Sequence, residues 1–149
     1  MKQAIDKIDK LLEEAQRPKR TLILIRGNPK YWLPGTSEKF YNDIREIFKD
    51  FNIKEFESNI ISSTIPPTKK GDIIIGFSRG CGYAKRLKEQ GRQGYYVGIG
   101  CDKKREIQDM HIIHPDDKTY KNDMSPKSLK AHWTLTPEMK RQLQKLIEK

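Results

Sequence analysis

Gly76-Phe77-Ser78-Arg79-Gly80 carries the clearest chemical signal in the chain. A serine hydroxyl is a weak nucleophile unless a neighbouring base takes its proton, and the backbone must first lift it clear of its surroundings. Here a Gly-x-Ser-x-Gly pentapeptide directly follows the apolar run Ile73-Ile74-Ile75 and precedes an amphipathic stretch that reaches about Gln90. That is the setting in which a strand reverses sharply into a helix and holds a serine at the tip. Such a reversal strains the residue at the tip. It also brings the residues two before and two after it too close for side chains, which suits Gly76 and Gly80. The helix start behind Ser78 offers unbonded N–H groups and the positive end of a dipole. The Arg79 N–H is expected to face the oxyanion that forms when Ser78 attacks a carbonyl.

The elements that must position this turn follow from hydrophobic patterning. Residues 2–16 repeat Ile5, Ile8, Leu12 and Ala15 at helical spacing, so residues 1–17 are expected to form an N-terminal helix packed on the sheet. Thr21–Ile25 reads as a strand buried on both faces. Thr36 or Ser37 caps a second helix with the stripe Phe40, Ile44, Ile47 and Phe48. Asn52–Phe56 is a weaker strand, and residues 71–75 form a strand leading into the turn. Residues 95–99 and 110–113 form two more, followed by a polar loop from His114 to Ala131. Thr136-Pro137-Glu138 opens a last helix with the apolar face Met139, Leu143, Leu146 and Ile147. Strands alternating with helices predict one α/β domain over residues 1–149. It is expected to be a three-layer sandwich with a short, mostly parallel sheet and helices on both faces.

Composition narrows the function classes. The chain has 149 residues, 35% hydrophobic and 34% charged, enough for one thin core. A net charge of +10, from 30 basic and 20 acidic residues, attracts anions. Long basic runs and basic residues interleaved with aromatics are missing, so no nucleic-acid motif supports that partner class. The sequence also lacks the phosphate-loop and dinucleotide glycine patterns. Cys81 and Arg86 are one residue too close for a Cys-x5-Arg phosphatase loop. Cys81 and Cys101 are expected to be free thiols, and no metal or cofactor is expected. With no signal region and no membrane span, the expectation is a soluble, cytoplasmic protein.

The turn and its flanks resemble the nucleophile elbow of the α/β-hydrolase superfamily, in the form Gly-Phe-Ser-Arg-Gly. The likeness extends over most of the chain in strand and helix order. The family's N-terminal antiparallel strands are replaced by the helix at 2–16. The resemblance implies a minimal hydrolase-like fold and a serine hydrolase that cleaves an ester, thioester or amide through an acyl-enzyme on Ser78. It implies a second oxyanion donor after the strand 21–25, where Arg26-Gly27-Asn28 stands and Asn28 offers its N–H. Arg26 departs from the family's usual His. The family's order of serine, acid, histidine makes His132 the base, with His114 the alternate. It places the acid at Asp117 or Asp116, with Asp102 another option. Tyr31 and Trp32 follow the oxyanion loop and are expected to bind a small acyl substrate, with Arg26 and Arg79 favouring an anionic one. The competing reading is a silent hydrolase-like fold whose basic surface binds nucleic acid or an acidic partner.

Overall fold

The computed structural model describes residues 4–9, 19–59, 62–102 and 108–148. Residues 4–9 are helical (α1), with Ile5 and Ile8 exposed to solvent, so neither packs on the sheet. The rest of the expected N-terminal helix lies outside the described residues. The element order continues as β1 (Thr21–Ile25), α2 (Thr36–Ile47), β2 (Asn52–Phe56), β3 (Ile73–Phe77), α3 (Gly80–Glu89), β4 (Tyr95–Ile99), β5 (Met110–Ile112), α4 (Pro126–His132) and α5 (Pro137–Ile147).

The five strands form one sheet in the order β2-β1-β3-β4-β5, and every pairing is parallel. Strands buried on both faces cannot alternate apolar with polar residues. Accordingly β1, β3 and β4 read Thr-Leu-Ile-Leu-Ile, Ile-Ile-Ile-Gly-Phe and Tyr-Tyr-Val-Gly-Ile. Their side chains divide by parity into two cores. Leu22, Leu24, Ile73, Ile75, Phe77, Val97, Ile99 and Ile112 pack on one face with Phe40, Tyr41 and Ile44 of α2 and Met139, Leu143 and Leu146 of α5. Ile23, Ile25, Ile74 and Tyr96 pack on the other with Ala84 and Leu87 of α3 and with Ile65. Helices therefore cover both faces. Each fully buried Leu or Ile contributes about 2 kcal/mol of transfer free energy.

The edge strand β2, Asn-Ile-Lys-Glu-Phe, is only partly covered, and Glu55 on it holds Arg45 of α2 at 2.8 Å. At the N-terminal ends of the central strands, buried Asp72 accepts the N–H groups of Thr21 and Lys69, each at 2.9 Å, and ties the start of β1 to the approach to β3.

The strand order fixes where a site can form. From β1 the chain crosses through α2 to β2 on one side, whereas β3, β4 and β5 extend the sheet on the other. Right-handed crossovers then put α2 and α3 on opposite faces. The connections that leave the C-terminal ends of β1 and β3 therefore run to opposite faces, the point at which open α/β sheets place their sites. Residues just after β1 and β3 are Gly27-Asn28 and Ser78.

Three local readings change. The strand before the turn is Ile73–Phe77 rather than residues 71–75, so Gly76 and Phe77 belong to the ladder. The cap of α2 is Gly35 at φ 79°, while Ser37 turns back to accept the Leu33 N–H at 2.8 Å. The expected polar loop from His114 to Ala131 contains a short helix, α4, capped by Ser125 with Pro126 at its first position.

Cys81 and Cys101 are not free thiols. They form a disulfide, with Cα atoms 5.9 Å apart, between the first turn of α3 and the residue just beyond Gly100. Parallel pairing of β3 with β4 brings these positions together, although 20 residues separate them in sequence. The pairing removes the argument from free thiols to a cytoplasmic location. Among the described residues no helix is long and apolar enough to cross a membrane.

Candidate active site

Ser78 occupies the strained tip that the spacing predicts. Its φ is +55°, one of only two positive values at non-glycine positions among the described residues. Such a backbone is costly for a side-chain-bearing residue and is held here by its surroundings. The Ser78 N–H donates to Ile99 O at 2.9 Å, and the Cys81 N–H donates to Ser78 O at 3.0 Å. The flanking glycines are required by contact. A Cβ on Gly80 would collide with the carbonyl of Ile25, and one on Gly76 would lie 2.8 Å from Gly80 O. The disulfide at Cys81 and the Ser78 to Ile99 bond both fasten the turn to the end of β4.

The loop after β1 approaches the same point. The Gly27 N–H donates to the buried Tyr41 hydroxyl at 3.0 Å, and Arg26 N–H donates to Phe56 O at 2.8 Å. Asn28 caps the following 3-10 turn through its side chain, which accepts the Lys30 N–H at 3.0 Å. Burial pushes the Tyr41 phenol up to about 12, against the opposing pull of the Gly27 N–H and Arg26. The phenol therefore stays neutral and fixes the loop as a hydrogen-bond acceptor.

His132 ends α4 and is buried. Its Nδ1 lies 2.7 Å from Asp117 Oδ2. The ring stacks at a tilt on Phe77, with centroids 4.8 Å apart, and meets Trp133 edge-on. Gly100, at φ +63°, passes so close that a Cβ there would lie 3.0 Å from both Nδ1 and Cε1 of the imidazole. With Nδ1 committed to Asp117, Nε2 is the nitrogen left for chemistry. Asp117 is 2% exposed. Burial alone would raise its pKa. The hydrogen bond and charge of His132, with two bonds from Thr119, outweigh burial and hold the carboxyl below its ordinary value. Those two bonds reach Asp117 Oδ1 from the Thr119 hydroxyl at 2.6 Å and the Thr119 N–H at 3.0 Å.

Ser78 and His132 line one cavity of about 210 Å³, together with Asn28, Arg79, Gly100, Asp102, Thr119 and Trp133. Tyr31, Tyr120, Met124 and Leu129 complete its wall. Tyr31 and Met124 are two of the few large apolar side chains left exposed among the described residues. Asn28 from the loop after β1 and Arg79 from the turn after β3 thus line the same cavity as Ser78. Among the described residues no group of three or more His, Cys, Asp and Glu side chains is placed to hold a metal ion.

Several expected residues are not brought to the site. Asp116 is exposed, and its N–H instead donates to His114 Nδ1 at 3.0 Å, which makes the Pro-Asp-Asp segment a turn. Neither Asp116 nor His114 lines the cavity. Asp102 does line it. Trp32 stacks on Tyr41 with centroids 6.0 Å apart and donates to Glu38 at 3.0 Å, so it closes the edge of the core rather than the cavity. Arg26 pairs with Glu57 at 2.9 Å and lies over the Tyr41 ring, which leaves Arg79 as the expected cation that reaches the cavity wall. Thr119, Tyr120, Met124 and Leu129 were not singled out by sequence. They lie in the segment expected to be loop, where Ser125-Pro126 was the one available helix-start signal.

Compared with known proteins, the chain matches no family model, no curated protein and no solved structure.

Proposed function

We propose that this protein is a serine hydrolase of the α/β-hydrolase type that cleaves an ester, thioester or amide. The observation that carries the reading is one cavity lined by a positive-φ serine and by a histidine whose far nitrogen is bonded to a buried carboxylate. These are the parts of an acyl-transfer site in the order serine, acid, histidine along the chain.

In this reading Ser78 Oγ attacks the substrate carbonyl carbon, and His132 Nε2 takes the hydroxyl proton. The N–H groups of Arg79 and Asn28 receive the oxyanion. Collapse of the tetrahedral species expels the leaving group, which takes the proton from His132. Water then attacks the Ser78 acyl-enzyme, again giving its proton to His132, and the acid product leaves as Ser78 Oγ regains a proton. Asp117 holds the imidazole in the tautomer that leaves Nε2 unprotonated, and offsets the charge that Nε2 gains. The phenol rings, Met124 and Leu129 suit a short apolar acyl group, and Arg79 suits a negative charge on the leaving portion. A volume of about 210 Å³ is roughly that of seven waters in the liquid.

The test is covalent. A tagged fluorophosphonate should label the parent on Ser78, by peptide mass, and should label neither Ser78→Ala nor His132→Ala. A folded parent that resists labelling, and instead binds nucleic acid with strong salt dependence, overturns the reading in favour of a silent fold with a basic binding surface.

A further inference from the structure

We propose that Thr119 is the positioning residue of the site, the group that keeps Asp117 charged and aimed at His132. The inference rests on the hydrolase reading for its consequence in catalysis, but its geometry stands independently.

Asp117 is nearly fully buried, and a buried carboxylate stays ionised only when it is paired and hydrogen-bonded. His132 engages Oδ2 only. The Oδ1 atom is held from Thr119 alone among the bonds described, by the hydroxyl at 2.6 Å and by the backbone N–H at 3.0 Å. The pair closes a tight local ring because the residues are two apart, an arrangement in which an aspartate caps its own turn. That turn leads directly into the 3-10 segment Thr119–Lys121, and Tyr120 of the segment lines the cavity. The same hydroxyl oxygen lies 3.2 Å from His132 Nδ1.

With its proton given to Oδ1, that oxygen presents only lone pairs to the imidazole. It therefore favours a proton on Nδ1 and so an Nε2 free to accept one. One hydroxyl thus fixes the carboxylate rotamer, supports its charge and selects the tautomer. The resemblance implied a histidine paired with a carboxylate, with Asp117, Asp116 and Asp102 all open as the acid, but this third member comes from the loop between Asp117 and His132.

The backbone N–H survives side-chain substitution, so the hydroxyl can be tested by itself. Thr119→Val keeps the shape and removes the hydroxyl, and Thr119→Ser keeps the hydroxyl and removes a methyl. Thr119→Ala repeats the first test if the valine variant does not fold. Two readouts are taken on the full chain. The first is the ¹³C titration of the Asp117 carboxyl, which is expected to move to higher pH in the valine variant and to stay at the parent value in the serine variant. The second is the rate of fluorophosphonate labelling at Ser78 against pH. Loss of a charge-assisted bond predicts about a tenfold slower rate in the valine variant, with its acid limb displaced to higher pH, and near-parental behaviour in the serine variant.

A valine variant with the parent's Asp117 titration and labelling profile overturns the proposal. A serine variant as impaired as the valine variant also overturns it, since packing would then be the cause. If the parent itself is not labelled, the hydrolase reading fails, and the carboxyl titration still decides whether Thr119 holds Asp117.

Discussion

Replacing Asp117 by Asn separates the charge of this residue from its shape. The asparagine fills the same volume, and its amide oxygen can take the two Thr119 bonds now made to Oδ1. The amide nitrogen then faces His132 Nδ1 across a distance that is 2.7 Å in the parent. Two donors cannot share that distance, so the imidazole must move its proton to Nε2. In that tautomer Nε2 has no lone pair for the Ser78 proton. The analogous exchange in serine proteases costs on the order of 10⁴ in turnover, and here roughly 10³–10⁴ is expected, about 4–5.5 kcal/mol of barrier. Ground-state stability should fall by about 1.5–3 kcal/mol, the range for a hydrogen bond to a charged group.

The assay is the pseudo-first-order rate of fluorophosphonate labelling at Ser78, followed by intact mass at neutral pH and paired with urea unfolding. Asp116→Asn is the control and should label at the parental rate, because that side chain is exposed in a turn. Parental labelling by Asp117→Asn would refute the tautomer argument. Loss of labelling in Asp102→Asn, with Asp117→Asn intact, would move the acid to Asp102, the carboxylate that lines the cavity.

Three further outcomes are expected. Because the Asp117 carboxyl is held below its ordinary value of 3.8, the unfolded chain binds more protons as pH falls through that range, so this residue's stabilisation is present above it and is lost on acidification; Asp117→Asn should flatten the acid limb of an unfolding curve, and an unchanged limb would contradict the assignment. Thiol titration of the native protein without reductant should find no reactive Cys81 or Cys101, and the double Cys→Ala variant, which opens a loop spanning 20 residues, should lose about 3 kcal/mol and melt roughly 6–12 °C lower; two titratable thiols in the untreated protein would argue against the bond. Tyr41→Phe leaves the Gly27 N–H unsatisfied, should cost about 1–3 kcal/mol in urea unfolding, and should slow labelling of Ser78 by loosening the Asn28 loop; a variant as stable as the parent would show that this bond carries nothing.

The parts legible in sequence were those in which local pattern and tertiary demand coincide. Strands β1, β3 and β4 are buried on both faces, so their unbroken apolar runs announce them, and Thr136-Pro137 marks the start of α5 by cap chemistry alone. Ser78 was legible because two glycines and a preceding strand are a local steric requirement. The acid choice between Asp116 and Asp117 was not, since neighbours in one turn differ only in which way the turn aims them. Helix α4 escaped because seven residues with Leu129 and Ala131 as their apolar members give too little periodicity. The Cys81–Cys101 bond escaped for a different reason: parallel pairing brings β3 and β4 side by side, and spacing along the chain carries no trace of that proximity.

Arg20 stands immediately before β1, and its guanidinium donates to Leu146 O and Ile147 O at the end of α5. The first strand of the sheet is therefore fastened to the last helix, and that helix closes the core that also holds Phe77 and Trp133, the rings beside His132. During synthesis the serine turn emerges more than fifty residues before the imidazole, and the face it shares with α5 stays open until that helix leaves the ribosome. On the proposed reading, the hydroxyl of that turn stays a weak nucleophile until α4 brings His132 to the cavity the two residues share.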